Sequence, residues 1–427
     1  MREQAVKTVA LILAGGIGKR LSLLTRYRAK PAVQFAGSYR IIDFTMTNCV
    51  RSGIDNIFIL TQYISRSLSR HIGIGKPWDL DRAYGGVHLL HPHLGYQAAD
   101  WYQGTADAIY QNITVLRELD CDLVMILSGD HVYRMDYREF IDFHVACGLP
   151  ASVGVVEVPR SLCREFGIAT IGTHAKIVRF QEKPVRSKSN LASMGIYIFD
   201  RSFLIRTLAE FKRFHDDLDF GKHVIPRLVQ RRLVSAHRFA GYWLDIGTLK
   251  SYFSASLGLL ADRPRLKLHD PENPILTVPD DNPPVVVDSR ANVRRSLVSN
   301  GCVIRGDVTS SILSPGVVVG RDARIERSII FSECIIEPGA FVKDTIIDKQ
   351  CRIGRNTTIG LGNRAIPNQR QPSYLDFGLT LIGRKTDIPA GLHIGTNCLV
   401  CGSPAHGRIP KKDIGDGGYS VAGDSGL

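Results

Sequence analysis

The C-terminal third of the chain repeats aliphatic residues at a six-residue spacing, and this spacing constrains the fold more than any other feature. Three series are present: Leu313, Val319 and Ile325; Ile329, Ile335, Phe341, Ile347, Ile353 and Ile359; and Ile382, Ile388, Ile394 and Val400. Hexapeptide repeats of this kind form a parallel β-helix, in which the aliphatic residue of each short strand points into the coil. We therefore predict a parallel β-helix over residues 289–410.

The segments around the repeats have a different composition. The repeat lapses between Leu361 and Leu379, where we expect a polar loop to protrude. Residues 262–288, before the repeats, contain six prolines and few long apolar runs, which indicates a linker. Residues 411–427, after the repeats, are rich in glycine, and we expect this tail to be disordered.

Residues 1–261 alternate apolar runs of strand length with segments of helix length. The predicted strands are Val9–Leu13, Asn56–Thr61, Leu123–Leu127, Ser152–Val158 and Gly195–Phe199, and the clearest helices are Ala106–Leu119 and Tyr137–Ala146. This alternation predicts a doubly wound α/β domain with a mainly parallel sheet. Ligands of such sheets bind beyond the carboxyl ends of the strands. The turn after the first strand, Gln62 after the second and Asp130 after the third should therefore converge.

A glycine-rich turn with cations follows the first predicted strand. Gly15, Gly16 and Gly18 lead directly into two cations, and more follow; the basic residues are Lys19, Arg20, Arg26, Arg28, Lys30, Arg40 and Arg51. Glycines let backbone N–H groups approach a phosphate closely, and cations neutralise its charge. A tight turn with solvated charges would use the same residue types. A polyphosphate ligand is the simplest interpretation of both features together.

The bulk composition limits the remaining function classes. The formal net charge is +13, yet no nucleic-acid-binding motif is present, so we assign the N-terminal cations to anionic ligands and the others to an ordinary basic surface. The chain shows no signal pattern and no apolar run long enough to cross a membrane, and most of its nine cysteines stand singly in apolar surroundings. These features favour a cytoplasmic protein with reduced cysteines.

Two aspartates offer carboxylates near the ends of predicted strands. Asp130 lies in Ser-Gly-Asp-His after an apolar run, and Asp245 lies in Tyr-Trp-Leu-Asp-Ile-Gly-Thr. Carboxylates that converge suit Mg²⁺, which takes oxygen ligands and bridges phosphates. Each aspartate alone is more often a capping or turn residue. The metal interpretation therefore depends on their convergence with the glycine turn.

The stretch from Gly15 to Pro31 resembles the signature GGxGxRLxxLTxxxAKP of the sugar-nucleotide pyrophosphorylases. Its continuation RAKPAVQFAGSYRIIDF narrows the resemblance to the ADP-glucose pyrophosphorylases, and WYQGTADA, QEKP, SMGIY, DFGK and YWLDIGT follow in the family's order. The resemblance implies a nucleotidyltransferase domain followed by a left-handed β-helix. It also implies transfer of the adenylyl group of ATP to glucose 1-phosphate, which yields ADP-glucose for glycogen or another α-glucan, and pyrophosphate.

The resemblance implies roles for individual residues as well. The ATP-binding residues would be Leu13, Ala14, Gly15, Gly16, Gly18, Arg20, Lys30, Gln62, Gln103, Gly104, Thr105 and Ala106. Glucose 1-phosphate would be bound by Tyr102, Gly167, Glu182, Lys183 and Ser193. The catalytic residues would be Arg20, Lys30, Asp130, Lys183 and Asp245, of which Asp130 and Asp245 would hold Mg²⁺. Because Lys183 precedes Pro184, we expect an extended backbone there.

The chain departs from the family pattern at three positions, none of which is a metal ligand. Ile17 and Leu244 stand where many members carry a charged residue, and His223 replaces an acidic residue after the Phe-Gly-Lys motif. Members are usually tetramers regulated by anionic metabolites. We therefore expect a homotetramer, with a tetramer that includes a paralogous subunit as the alternative, and an effector site that includes Arg28, Arg40 and Arg51.

Three other functions are compatible with the sequence. One is a pyrophosphorylase that uses another nucleotide, such as dTTP or GTP. A second is a non-catalytic regulatory subunit, although such paralogues commonly lose metal carboxylates or the loop arginine, and this chain keeps Asp130, Asp245 and Arg20. The third is an acyltransferase that uses His393 of the β-helix, but nothing distinguishes that residue from an ordinary coil-turn histidine.

Overall fold

The structure is a computed structural model that describes residues 6–92, 101–402, 407, 409 and 412–421. Residue contacts divide the chain into two compact units. The first unit comprises residues 1–16 and Ile42–Leu244, and the second comprises Ile17–Ile41 and Asp245–Leu427. The cationic segment after the glycine turn thus belongs to the unit that contains the C-terminal repeats.

A nine-stranded sheet forms the centre of the first unit. Its strands are β1 (Thr8–Leu13), β2 (Asn56–Leu60), β3 (Gly86–Leu90), β4 (Leu123–Ser128), β5 (Ala151–Glu157), β6 (Gly167–Ile171), β7 (Ile177–Glu182), β8 (Leu191–Asp200) and β9 (Val234–Phe239). The strand order is β7-β6-β8-β4-β1-β2-β3, and β5 pairs with both β8 and β9. All five predicted strands are present, with ends that differ by a few residues.

The sheet is mixed, with one parallel half and one largely antiparallel half. Strands β4, β1, β2 and β3 are parallel neighbours, as the alternation of strands and helices predicts. Strand β8 runs antiparallel to β4, β5 and β6. The parallel half has the continuous apolar runs of strands that are buried on both faces, and four of the six residues of β1 are buried.

Eight helices are described in the chain. They are α1 (Ile41–Arg51), α2 (Arg66–Ile72), α3 (Thr105–Gln111), α4 (Ile113–Glu118), α5 (Tyr137–Cys147), α6 (Arg201–Lys212), α7 (Ile225–Gln230) and α8 (Leu249–Gly258). The predicted helix Ala106–Leu119 is divided at Asn112, whose side-chain amide donates to the Ala108 carbonyl oxygen at 2.9 Å. A π-helical turn at Phe220–Val224 precedes α7, and the short 3₁₀ segments are Lys19–Thr25, Lys30–Ala32, Lys76–Trp78, Arg160–Glu165 and Thr173–Ala175.

The second unit contains three parallel sheets, to each of which successive coils contribute one short strand. The first has Val286–Val287, Val303–Ile304, Val318–Val319, Ile335–Ile336, Arg352–Ile353 and Asp387–Ile388, and the second has Val293–Arg294, Asp307–Thr309, Arg324–Glu326, Phe341–Lys343, Thr358–Ile359 and His393–Ile394. The third has Leu297–Val298, Ile312–Leu313, Ile329–Ile330, Thr345–Ile347, Thr380–Ile382, Leu399–Cys401 and Tyr419–Val421. This is the predicted left-handed parallel β-helix.

In the middle series, the predicted inward residues were wrong by one position for the first three members and correct for Ile347, Ile353 and Ile359. The ladders align Leu313 with Ile330 and Val319 with Ile336, and both isoleucines belong to the core of the coil. Ile335, which the six-residue step predicted to be inside, is 45% exposed. The reason is that the core residues Ile325 and Ile330 are only five residues apart, so the corner between them, which contains Arg327, is one residue shorter than the six-residue step.

The prediction fails in the same way for two other members of this series. Ile329 and Phe341 were also predicted to point into the coil, but the core residues are their neighbours Ile330 and Val342. Asp344 has φ +42° at the next such corner, after which the six-residue series resumes at Ile347. Because each of these short strands carries two apolar residues in succession, either one satisfies the six-residue step in the sequence.

The loop and the tail are both held against the coils. No strand is described between Ile359 and Thr380, in agreement with the predicted lapse, but Asn368 is fully buried and donates to the carbonyl oxygen of Asn397 at 2.8 Å. Residues 419–421, which were expected to be disordered, instead form a strand on Leu399–Cys401, because the last coil offers an unpaired strand edge. Residues 410–411 and 422–427 of the predicted helix end and tail lie outside the described residues.

No helix in the described ranges combines the length and apolar character required to cross a membrane. All nine cysteines are free, and eight of them are buried. Burial raises the pKa of the Cys121 thiol to about 11 and also the pKa of the Cys398 thiol to about 11, so both stay protonated at neutral pH. The Cys398 thiol donates to the Gly415 carbonyl oxygen at 3.1 Å.

The corrected register of the β-helix can be tested with a neighbouring pair of isoleucines. We expect Ile336→Ala to lower the free energy of unfolding by about 2–5 kcal/mol, because it leaves a cavity in the coil. Ile335→Ala should change it by less than about 0.5 kcal/mol, because that side chain is largely exposed. Denaturant unfolding of both variants measures the difference. Equal losses, or a larger loss for Ile335→Ala, would contradict the register.

Candidate active site

Three of the predicted site segments meet at the carboxyl ends of neighbouring parallel strands. The Ala14 N–H donates to the Leu60 carbonyl oxygen at 2.9 Å, and the Gly129 N–H donates to the Leu13 carbonyl oxygen at 3.0 Å. A Cβ atom added to Gly15 would lie 3.2 Å from the Cβ atom of Gln62. The glycine turn, Gln62 and the Gly129-Asp130 turn therefore converge in the first unit, as the strand order requires.

Asp130 lies just past the end of β4 with its carboxylate partly exposed to solvent. Its Oδ1 atom accepts a hydrogen bond from the Ser128 hydroxyl group and lies 3.5 Å from Nε2 of His131. The His131 ring contacts the edge of the Trp243 ring at a centroid distance of 5.1 Å. These contacts orient the carboxylate. Because 30% of the Asp130 side chain is exposed, its oxygen atoms can coordinate a metal ion.

The second unit brings together three other predicted residues. Lys30 Nζ lies 2.8 Å from Oδ1 of Asp245, and both side chains are largely buried. A Cβ atom added to Gly247 would lie 2.9 Å from Nη2 of Arg20 and 3.0 Å from Oδ2 of Asp245. Glycine at this position therefore lets the Arg20 guanidinium group and the Asp245 carboxylate approach the backbone. The result is two cations and one carboxylate within one small region.

Gly18 shapes the turn that leads into this cationic cluster. Its φ of +67° is the left-handed conformation that glycine adopts without strain. A Cβ atom there would lie 3.0 Å from Cγ2 of Thr25 and 3.1 Å from Cβ of Lys30. The Thr25 hydroxyl group donates to the Gly18 carbonyl oxygen at 3.0 Å and holds the turn closed. Ile17, which replaces a charged residue of many family members, is 41% exposed.

The segment Tyr102–Ala106 is held close to Gln62 in the first unit. The Gln62 side-chain amide donates to the Tyr102 carbonyl oxygen at 3.3 Å. Burial raises the pKa of the Tyr102 hydroxyl group, so Tyr102 stays a neutral hydrogen-bonding group. A Cβ atom on Gly104 would lie only 2.4 Å from the Leu218 carbonyl oxygen, so only glycine fits there.

Asp107, for which no role was predicted, holds the backbone of Gln103 in place. Its Oδ2 atom accepts from the Gln103 N–H at 2.9 Å, and its Oδ1 atom pairs with Nζ of Lys212 at 2.6 Å. The Asp107 carboxylate is fully buried, and this ion pair fixes the backbone of Gln103. Asp107 lies within the motif WYQGTADA, but no sequence pattern pointed to Lys212.

Glu182 lies close to two other predicted sugar-phosphate residues, Gly167 and Lys183. A Cβ atom on Gly167 would lie 2.8 Å from Oε2 of Glu182, and one on Gly221 would lie 2.6 Å from the same atom. Two glycines thus make room for this carboxylate, which is half-buried. Burial raises the pKa of Glu182, and the nearby Lys183 cation, 3.6 Å from its Oε1 atom, acts in the opposite direction.

The backbone at Lys183 differs from the prediction. An extended conformation was expected before Pro184, but φ of Lys183 is +44°. The Lys183 N–H donates to the Phe166 carbonyl oxygen at 3.0 Å, which continues the antiparallel pairing of β7 with β6 past Glu182. A left-handed residue that is not glycine costs about 1–3 kcal/mol, and such strain concentrates at functional sites. Ser193, another predicted sugar contact, is a buried residue of β8. Its hydroxyl oxygen accepts a hydrogen bond from the Gly195 N–H at 3.3 Å.

The three predicted effector arginines have different environments. Arg28 is buried in the second unit and donates through Nη2 to both carboxylate oxygens of Asp348 at 2.8 Å. Arg40 is half-buried in the same unit, at the end of the short strand Tyr39–Arg40. Arg51 belongs to the first unit, where it ends α1 with its side chain exposed.

Comparisons with known proteins agree with the fold and the motifs. The family model described as nucleotidyl transferase matches residues 9–262, and the model described as GlmU-like, C-terminal hexapeptide matches residues 284–372. A glucose-1-phosphate adenylyltransferase of Thermomicrobium roseum is 47% identical over 91% of this chain and 92% of its own length. The chain belongs to the glucose-1-phosphate adenylyltransferase family. Enzymes of the same name from Acetivibrio thermocellus (42% identical, 92% of each chain) and Thermotoga maritima (44% identical, 97% of this chain and 98% of that one) are similar as well.

Enzymes of this family use nucleotide and sugar-phosphate substrates and generally a divalent metal ion. The structure of the described residues gives no support to the third alternative, an acyltransferase that uses His393. His393 is exposed, and its Nδ1 atom lies 2.8 Å from the hydroxyl group of Thr358 on the neighbouring coil. Both residues lie on the outer face of the second sheet of the β-helix.

The convergence of Arg20 and Asp245 on Gly247 can be tested by adding one methyl group. We expect Gly247→Ala to lower kcat on the order of tenfold or more, because its Cβ atom displaces the guanidinium group and the carboxylate. The control is Gly258→Ala at the end of α8, where nothing lies within 4 Å of the added Cβ atom. Steady-state kinetics of both variants, with circular dichroism to confirm folding, measures the effect. Normal turnover of Gly247→Ala would exclude this cluster from catalysis.

Proposed function

We propose that this protein is a glucose-1-phosphate adenylyltransferase that converts ATP and glucose 1-phosphate to ADP-glucose and pyrophosphate. The observation that carries the proposal is the convergence of the glycine turn, Gln62 and Asp130 at one edge of the sheet. The reaction needs a phosphate-binding backbone, cations and a carboxylate, and little acid–base chemistry. The chain supplies each of them in the order that the family motifs predict.

The nucleophile is a phosphate oxygen of glucose 1-phosphate. It forms a bond with the α-phosphorus of ATP, the bond from that phosphorus to the β-phosphate oxygen breaks, and pyrophosphate leaves with the electron pair. Lys183 holds the sugar phosphate, and Glu182 and Ser193 bind sugar hydroxyl groups. Arg20 and Lys30 stabilise the negative charge that develops on pyrophosphate. The Gln103–Ala106 segment, whose Gln103 N–H donates to the Asp107 carboxylate, positions the nucleoside.

Asp130 and Asp245 would hold the divalent metal ion, which we propose is Mg²⁺. Both are carboxylates with part of the side chain exposed, 30% for Asp130 and 18% for Asp245, and oxygen donors are the ligands that Mg²⁺ prefers. When bound, Mg²⁺ neutralises phosphate charge and makes the α-phosphorus more electrophilic. Lys30 already pairs with Asp245 at 2.8 Å, which orients that carboxylate.

Pyrophosphate release tests the reaction and the nucleotide together. We expect release from glucose 1-phosphate with ATP and Mg²⁺, and little with dTTP, GTP or UTP. Asp130→Asn should lower turnover on the order of 10²–10³-fold while the fold persists, because it removes one anionic ligand. Asp142→Asn, at an exposed position of α5, is the matched control and should be fully active.

The other functions predict different results in the same assay. Release with another nucleotide would overturn the choice of ATP. Absence of release with every nucleotide, even with candidate anionic activators, would favour the non-catalytic regulatory subunit. We also propose that the protein is a cytoplasmic homotetramer, on the basis of the family resemblance. Sedimentation equilibrium of the purified chain, alone and mixed with a paralogous subunit, measures that assembly.

We further propose that anionic metabolites bind in the second unit around Arg40 and Lys349. Nη1 of Arg28 and Nε of Arg384 are buried, and neither has a hydrogen-bond partner among the described residues. Burial, together with the charges of Arg40 and Arg28, lowers the pKa of Lys349 to about 7. An anion would supply hydrogen-bond acceptors for the guanidinium groups and stabilise the charged form of Lys349.

The anion site predicts a particular dependence on pH. Because an anion favours protonated Lys349, its binding raises the pKa of that residue above about 7. Anion affinity should therefore increase as the pH falls towards about 7 and become constant below it. Calorimetric titration with sulfate, whose own charge is constant in this range, measures the dependence. Lys349→Met should abolish the pH dependence, and an unchanged profile in that variant would exclude Lys349 from the site.

A further inference from the structure

A cluster of two histidines and one aspartate lies in the first unit, outside the proposed catalytic residues. His215 and Asp217 belong to the segment between α6 and the π-helical turn, and His223 belongs to that turn. One ligand atom from each residue lies within 4.8 Å of those of the other two. The two imidazole rings are stacked, with centroids 4.1 Å apart and an interplanar angle of 14°.

We infer that His215, Asp217 and His223 form a binding site for one divalent transition-metal ion such as Zn²⁺ or Co²⁺. Two imidazole nitrogens and a carboxylate oxygen are a donor set of borderline softness, which favours such ions over Mg²⁺. Three protein ligands leave a fourth position for water. Asp217 is exposed and both histidines are half-buried, so an ion can enter from solvent.

The ligand geometry needs only side-chain rotations. Ligand atoms around a tetrahedral Zn²⁺ ion lie ~3.4 Å apart, given metal–ligand distances of about 2.0–2.1 Å. The ligand atoms of the cluster lie up to 4.8 Å apart, so the rings have to tilt out of their stacked arrangement to bring them closer. Burial and the adjacent His215 ring lower the pKa of His223, which keeps its ring in the neutral form that binds metals.

The site is connected to the segment that binds the nucleotide in the proposed function. Nδ1 of His223 accepts a hydrogen bond from the Asp219 N–H at 3.1 Å, and coordination through either ring nitrogen would end this bond. The Asp219 carboxylate accepts from the Thr105 hydroxyl group at 2.8 Å. The carbonyl oxygen of Asp217 lies 2.7 Å from the position of a Cβ atom on Gly104. An ion at this site would therefore change the support of Gly104 and Thr105.

Metal binding is measured on the full-length protein without an affinity tag, titrated with Co²⁺ in excess Mg²⁺. Excess Mg²⁺ displaces Co²⁺ from the proposed catalytic metal site. We therefore expect one Co²⁺ ion to remain bound per chain, with the visible absorption of a site that has nitrogen and oxygen ligands. His215→Gln and His223→Asn should each weaken Co²⁺ binding on the order of tenfold or more. Asn at position 223 keeps an oxygen acceptor for the Asp219 N–H, so the local fold is preserved.

The control is His269→Ala, which removes an exposed histidine elsewhere in the chain and should bind Co²⁺ like the parent protein. Equal binding by the parent protein and by both cluster variants would overturn the site. Sulfur-to-cobalt charge-transfer absorption would also overturn it, because it would show cysteine ligands.

The effect on catalysis rests on the proposed function, whereas the Co²⁺ titration does not. In excess Mg²⁺, we expect Zn²⁺ to lower the turnover of the parent protein and to have no effect on His215→Gln, which should keep its basal activity. Zn²⁺ inhibition that is the same in both proteins would exclude coupling through this site. If the parent protein releases no pyrophosphate with any nucleotide, the proposed function fails and the titration still decides whether the metal site exists.

Discussion

The buried ion pair between Arg28 and Asp348 is the interaction on which the cationic part of the site depends. Both side chains are almost completely buried, and breaking such a pair costs about 3–5 kcal/mol because it leaves one charge unpaired. The pair anchors residues 17–41 to a coil of the β-helix, together with a 2.8 Å hydrogen bond from Gln34 to Ser332. Lys30, two residues after Arg28, can therefore meet Asp245 in a fixed position.

This anchoring could not be predicted from the sequence, although the strand ends could. Parallel strands end at one edge of a sheet, so the order of apolar runs was enough to bring Gly15, Gln62 and Asp130 together. Arg28 and Asp348 are separated by 320 residues, and no local pattern relates them. The charge of Arg28 suggested a free ligand-binding residue, whereas burial shows that much of that charge is matched within the protein.

The β-helix shows a similar limit on what periodicity can determine. The six-residue step predicted the architecture correctly, because few folds place aliphatic residues at that spacing over so many turns. It could not choose between Ile335 and Ile336, since both are apolar and the choice depends on the backbone at the corner. The corner between the core residues Ile325 and Ile330 is one residue shorter than the six-residue step, and no residue type in it signals that difference.

The second unit contains a continuous series of contacts between the proposed anion site and Lys30. Lys349 follows Asp348, Asp348 holds Arg28, and Lys30 lies two residues further along the same segment and pairs with Asp245. An anion bound beside Lys349 would accept a hydrogen bond from Nη1 of Arg28, which is buried and has no partner among the described residues, while Nη2 donates to Asp348. A second acceptor on the Arg28 guanidinium group would change the position of Lys30 without requiring any contact between the anion and a substrate, because the segment is short and buried. The proposed regulation by anions would then act through the same ion pair that holds the cationic segment in place.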